Sequence, residues 1–225
     1  MQPPAEDSRR LCFAPKTAKL AWRGKGRKEM DKILEKKVEG KADVYLHNHL
    51  ANSAYWFKQQ IEKKIESGDR SGIAFDYLAC ATSIAFTNEA HINFFGMKCV
   101  KGFVEREPIE AKVATVFTAF KMPIVWETRP LSSFRAMKNL RDTLAHGKPA
   151  EIRHNSVTSA TPDQQNIIDN LKADWQKALT HEPIMTAYKD MDDLFKQLLE
   201  KSGLSLFDTI EQTNYTISLI ERKQA

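Results

Sequence analysis

Three side chains able to move protons and hold phosphates crowd into one stretch, "NLRDTLAHGKP", residues 139–149. Arg141 is a permanent cation with several donors, His146 an imidazole that changes charge near neutral pH, and Asp142 a carboxylate between them. On a helix turning about 100° per residue, Leu140, Leu144, Met137 and Phe134 share an apolar arc, and Arg141 falls inside it. An arginine aimed at a core needs an acidic or amide partner, because an unpaired buried charge is strongly destabilising. Asp142 and His146, four apart, fall on the other side and are expected to pair. His146 directly precedes Gly147, so it ends the helix, where free carbonyls and the dipole favour an imidazolium. The histidine is then a candidate general acid or base and the guanidinium a candidate phosphate clamp, a set suited to phosphodiester chemistry. Spacing alone carries little weight. With 11 arginines and 6 histidines in the chain, this Arg-to-His gap arises about once by chance, and a capping histidine beside a snorkelling arginine looks the same.

The elements that position these residues read as helices from about residue 41 onward, with breaks where Gly, Pro and Ser collect. The pattern predicts helices near 41–66, 73–101, 108–121 and 130–147, then 163–180, 183–201 and 204–222, with no competing strand pattern. The second is apolar nearly all round, which marks it as central. The expected fold is an all-α helical bundle over 41–225, its core at about 41–200, with additional C-terminal helices and a basic N-terminal arm over residues 1–40.

The net charge of +5 belongs to that arm: residues 1–41 carry 12 Lys/Arg against 6 Asp/Glu, so the remainder stands at −1. Trp22 sits among Lys16, Lys19, Arg23, Lys25, Arg27 and Lys28, a composition suited to phosphate contacts and base stacking, and equally to a solvated charged tail. Cys12, Cys80 and Cys99 are odd in number and widely spaced, without a zinc-site pattern, which favours a reducing compartment. Neither a secretory leader nor a long apolar span is apparent, so a cytoplasmic protein with no membrane partner is expected.

"RPLSSFRAMKNLRDTLAHGKP", residues 129–149, resembles the signature region of the HEPN superfamily, whose ribonuclease members carry Arg, usually a polar residue, and His after a gap of four to six residues at a helix end. "TSIAFTNEAHINFF", residues 82–95, is similar to the acidic second-helix segment Glu-Ala-x-x-Asn of several such families. The likeness covers about residues 41–200. It implies a metal-independent, cofactor-free endoribonuclease in which Arg141, Asp142 and His146 form the catalytic group. Glu89 and Asn93 support it, and Lys148 with Arg23, Lys25, Arg27 and Lys28 contacts RNA. It implies a homodimer, since one motif supplies one histidine and the reaction wants a base and an acid. A toxin or phage-defence setting, with an antitoxin-like neutralising partner, also follows from the family. One residue departs from the pattern: the position after arginine is often asparagine, and Asp142 carries a charge that repels phosphate.

Glu89 and Asn93, four apart on one face of the second helix, are the expected partners of Arg141. His47 and His49 in "HNH" point about 200° apart on a helix, cannot share a metal, and read as surface residues. His91 is expected to face away from Glu89, His181 to lie between helices, and the acidic run at 188–195 to be a solvated face. Arg153 and His154, in the loop after the motif, read first as a solvated loop and second as residues that approach a bound RNA strand. A catalytically silent HEPN bundle used for dimerisation or RNA binding, and an unrelated helical protein whose arm binds DNA or an acidic partner, fit the same residues.

Overall fold

The computed structural model describes residues 36–149, 151–153, 155 and 171–219. Arg23, Lys25, Arg27, Lys28 and His154 lie outside the described residues. Among the described residues, those within 41–214 belong to one compact unit, and 36–40 with 215–219 to another.

The 41–214 unit is predominantly helical. Its helices are α1 (Leu46–Ser67), α2 (Ile73–Cys99), α3 (Ile109–Ala119), α4 (Leu131–His146), α5 (Asp174–Ala178) and α6 (His181–Ser202). Gly68 and Gly203 end α1 and α6 in the left-handed conformation. Pro108 stands just before α3 and Pro130 just before α4. As its all-round apolarity predicts, α2 is the central element, packing on α1, α3, α4 and α6. One half of the core gathers Ile61, Cys80, Ile84, Leu140 and Met191; the other gathers Phe95, Val113, Phe117, Phe134 and Leu198. The ring of Phe103, in the loop after α2, lies over Gly96 so closely that a Cβ there would overlap it.

Two expectations fail. The sequence contains strands after all: β1 (Lys36–Asp43) pairs with β2 (Gln212–Leu219) in a two-stranded sheet. The helix expected at 204–222 is instead a 3-10 turn, Leu206–Thr209, followed by β2. "QTNYTISL" alternates polar residues with Thr, Tyr and Ile, a period-2 pattern that suits a strand edge better than a helix. Of the helix expected at 163–180, residues 174–178 are helical among those described. α6 begins at His181, which is therefore a first-turn residue rather than part of a connection.

The acidic run on α6 is likewise only partly solvated. Asp190 is buried (4% exposed), receives the Arg129 guanidinium at 2.8–3.0 Å through three contacts, and accepts a hydrogen bond from Ser133 Oγ at 2.5 Å. This fork pins the start of α4 to α6, with bidentate geometry that gives direction as well as attraction. No described helix is long and apolar enough to cross a membrane.

Candidate functional site

α4 delivers its chemistry at its C-terminus. Gly147 adopts φ +52°, and its N–H bonds the Thr143 carbonyl at 3.2 Å, so the helix stops at His146. His146 and Lys148 are exposed, and with Asn139, Asp142 and Thr143 they wall an open cleft of about 390 Å³.

Behind that cleft, a chain of charges crosses from α3 through α2 to α4. Arg141 donates from Nη1 to Glu89 Oε2 at 3.0 Å, the partner its position on the apolar arc demands. Its Nε and Nη2 both reach Asp142 Oδ1, at 2.9 and 2.7 Å. The guanidinium also lies over the Phe86 ring, 5.4 Å from its centre. Glu89 uses its second oxygen to accept from Lys112 Nζ at 2.8 Å. Asp142 Oδ2 meets Lys138 at 3.2 Å, and Lys138 lies 3.5 Å from Glu110. Burial pushes the Glu89 carboxyl up, but the bonds and charges of Lys112 and Arg141 outweigh it and hold it below the usual range. Asp142 behaves alike: partial burial raises it, and Arg141 with Lys138 brings it down further than burial lifts it.

Several assignments change. Asp142 is not the partner of His146: no hydrogen bond joins them among the described residues, and Asp142 is spent on Arg141 and Lys138. The helix wheel locates Cβ atoms, whereas the long arginine stem folds its head group back across the next residue. Asn93 does not complete the Arg141 network. Its Oδ1 is buried without a partner, and its side chain lines a different cleft beside Tyr45 and Phe94. The role expected of Asn93 falls to Lys112, only 3% exposed, which the sequence reasoning missed. The signal was there: in "IEAKVATVF" a lysine sits one turn from Ile109 and Val116, on the inward face of α3.

His47 is also misplaced by the sequence reading. It is buried, 3% exposed, because α1 starts at Leu46 with His47 on its inward face, while Leu46 and His49 stay exposed. Its ring packs on Phe94 at 4.3 Å and on His91 at 5.7 Å, and His91 packs on Phe195 at 4.7 Å. Burial lowers His47 to about 4, against the raising influence of Glu211, and lowers the fully enclosed His91 to about 3. His49 is exposed as expected and pairs with Glu211 at 3.0 Å. Arg153 is taken up by Glu151 at 2.8 Å. Among the described residues, no group of three or more His, Cys, Asp or Glu could hold a metal.

No family model, curated protein or solved structure matches the chain. Its chemistry therefore has to be argued from the α4 terminus and its surroundings.

Proposed function

We propose that the α4 terminus is the catalytic edge of a metal-independent endoribonuclease of HEPN type, acting as a homodimer. The observation that carries this reading is the placement of His146: exposed, on the rim of an open cleft, with Lys148 beside it to receive a phosphate. In the reaction, the imidazole of one copy takes the proton from a ribose 2′-hydroxyl, whose oxygen attacks the adjacent phosphorus. The 5′-oxygen leaves and collects a proton from the same histidine of a second copy. The products are a 2′,3′-cyclic phosphate and a free 5′-hydroxyl, and DNA, lacking the nucleophile, is spared. Arg141, rigidly seated by Glu89, has two of its five N–H groups left after three hydrogen bonds to stabilise charge on the phosphate. The toxin or defence setting, with a neutralising partner, belongs to the same proposal.

A second reading, a silent HEPN bundle that binds RNA or dimerises, is favoured by one contact. Asp142 grips Arg141 through two nitrogens and itself walls the cleft, so a carboxylate stands between the guanidinium and an arriving phosphate. Incubating single-stranded RNA with the protein in EDTA separates the two. Cleavage with cyclic-phosphate ends that disappears in His146→Ala is expected; retained RNA binding without cleavage establishes the silent bundle instead, and cleavage undiminished in His146→Ala overturns the site.

A further inference from the structure

α2 is apolar nearly all round, yet the described residues leave one of its faces open. Phe75, Phe86 and Met97 recur every 11 residues, three helical turns, and so stand in one line, 76%, 42% and 69% exposed. Ala79, Thr82, Ala90 and Asn93 fill the spaces between them, half-buried, so large side chains alternate with small ones along the strip. At its Met97 end opens a cleft of about 420 Å³, with Leu46, Ala90, Phe94 and Met97 among its walls. With Val44 and Leu46 added, the strip exposes roughly 600 Å² of large apolar side chain, at about 150–250 Å² for each when bare. That is the upper end of what a monomer shows, and most of the about 800 Å² that each partner buries in a standard protein interface.

The strip is suited to meeting a copy of itself. A twofold axis sets residues near their own counterparts, so a charged face would repel itself. Glu89 is the one ionised residue along this strip, and Lys112 and Arg141 already answer it at 2.8 and 3.0 Å. Charge collects at the margins instead, in the Lys64 and Asp76 pair at one end and in Lys98 at the other. A centre rich in phenylalanine and methionine, without free charge and with a polar rim, has the composition of an interface core. Its relief is also self-complementary. Phe86 stands raised one turn before Ala90, and Ala90 forms the near wall of the cleft, so rotation about an axis at Ala90 exchanges ridge for hollow.

We propose that two copies of this chain pair through this strip, α2 against α2 and antiparallel about a twofold axis beside Ala90, with Phe86 of each copy seated in the other's cleft. The small residues between the large ones let the two helices approach closely enough for that exchange. The pairing rests on the nuclease reading for its purpose, since a single histidine per chain needs a second copy, while the strip itself stands apart from it. Arg141 lies over the Phe86 ring, 5.4 Å from its centre, so the axis passes near the α4 helices that carry His146 in both copies.

The test is sedimentation of the full chain over a concentration series, together with disulfide trapping. Wild type should dimerise. Met97→Asp, which puts a charge on the cleft wall, should weaken the dimer about 100-fold with the circular dichroism unchanged, and Phe86→Ala, which empties the partner's cleft, about 30-fold. Under mild oxidation Ala90→Cys should cross-link to its own counterpart across the axis, with wild type as the blank. Phe75→Cys should not, because antiparallel pairing at Ala90 holds its two copies about 45 Å apart. A monomer at every concentration, Phe75→Cys trapped as readily as Ala90→Cys, or a dimer indifferent to both Met97→Asp and Phe86→Ala would overturn the pairing. Dimerisation without RNA cleavage removes the nuclease and leaves the pairing in place; cleavage by a chain that stays monomeric does the reverse.

Discussion

α2 carries two polar regions scarcely a turn apart, and they are built on opposite terms. At Glu89 every charge is answered: Lys112 on one oxygen, Arg141 on the other, Asp142 and Lys138 beyond. Around His91 little is answered: His91 Nδ1, His47 Nε2 and Asn88 Oδ1 are buried with no partner, and the two imidazoles pack among the Phe94, Phe195 and Tyr45 rings. The first region is half-wet and ionised, the second dry and neutral. An ionised group cannot be buried alone, so the first has to be a network; an imidazole can escape by shedding its proton, so the second survives as isolated rings. What ties both to one helix is spacing. Glu89 and Asn93 share the outer face of α2, while His91 between them turns inward.

Acid should break the comparison most sharply. Both histidines have folded values depressed below their ordinary 6.5, so the stability they contribute is complete above pH 6.5 and is lost as pH falls, when the unfolded chain takes up protons that the fold refuses. Between pH 6.5 and 4.5 the two together should cost on the order of 5 kcal/mol, read as a falling urea midpoint. Glu89 and Asp142, depressed carboxyls, retain their contributions through that window and lose them only below about pH 4.5. His91→Phe should therefore flatten the profile from pH 6.5 down to about pH 3, where the contribution of His91 ends, and leave the losses from His47 and the two carboxyls in place; an unchanged slope above pH 4.5 would assign the loss to other groups.

Removing the anion from the other region comes next in size. Glu89→Ala strands Lys112 in the core and should destabilise the protein by about 3 kcal/mol in chemical denaturation. The double variant Glu89→Ala/Lys112→Met should recover most of it, since the cost is an orphaned charge and not a lost contact. Smallest in stability is Asp142→Asn, expected to move the unfolding free energy by less than about 1 kcal/mol, because the pair is a third exposed and screened. Its effect should appear in RNA instead. With the carboxylate gone, Arg141 is released toward the cleft, and RNA affinity measured by filter binding should rise about 10-fold.

Helices α1 to α4 and α6 were legible because their ends are written in glycine and proline and their interiors in apolar periodicity. β1 was not, since in "KKVEGKAD" only Val38, Gly40 and Ala42 alternate with charged residues, too weakly apolar to mark a strand, and the partner that makes it one, β2, lies some 170 residues away. At the site, the Glu89 to Arg141 contact could be deduced from two helical faces and the physics of a buried cation. The choice of Asp142 between Arg141 and His146 could not, because it turns on side-chain reach. Lys112 was overlooked because a lysine in a charged, amphipathic stretch ordinarily faces water. His47 depended on where α1 starts, and a shift of a few residues in that start rotates the first turn from solvent to core.

The Phe103 ring seated on Gly96 bears on all of this from a distance. The ring belongs to the nine-residue connection that carries the chain from the end of α2 at Cys99 to the start of α3 at Ile109, the helix that bears Lys112. One added methyl, on a residue with no charge and no place in either cleft, would thus have to push that ring aside and loosen the seat of the whole connection.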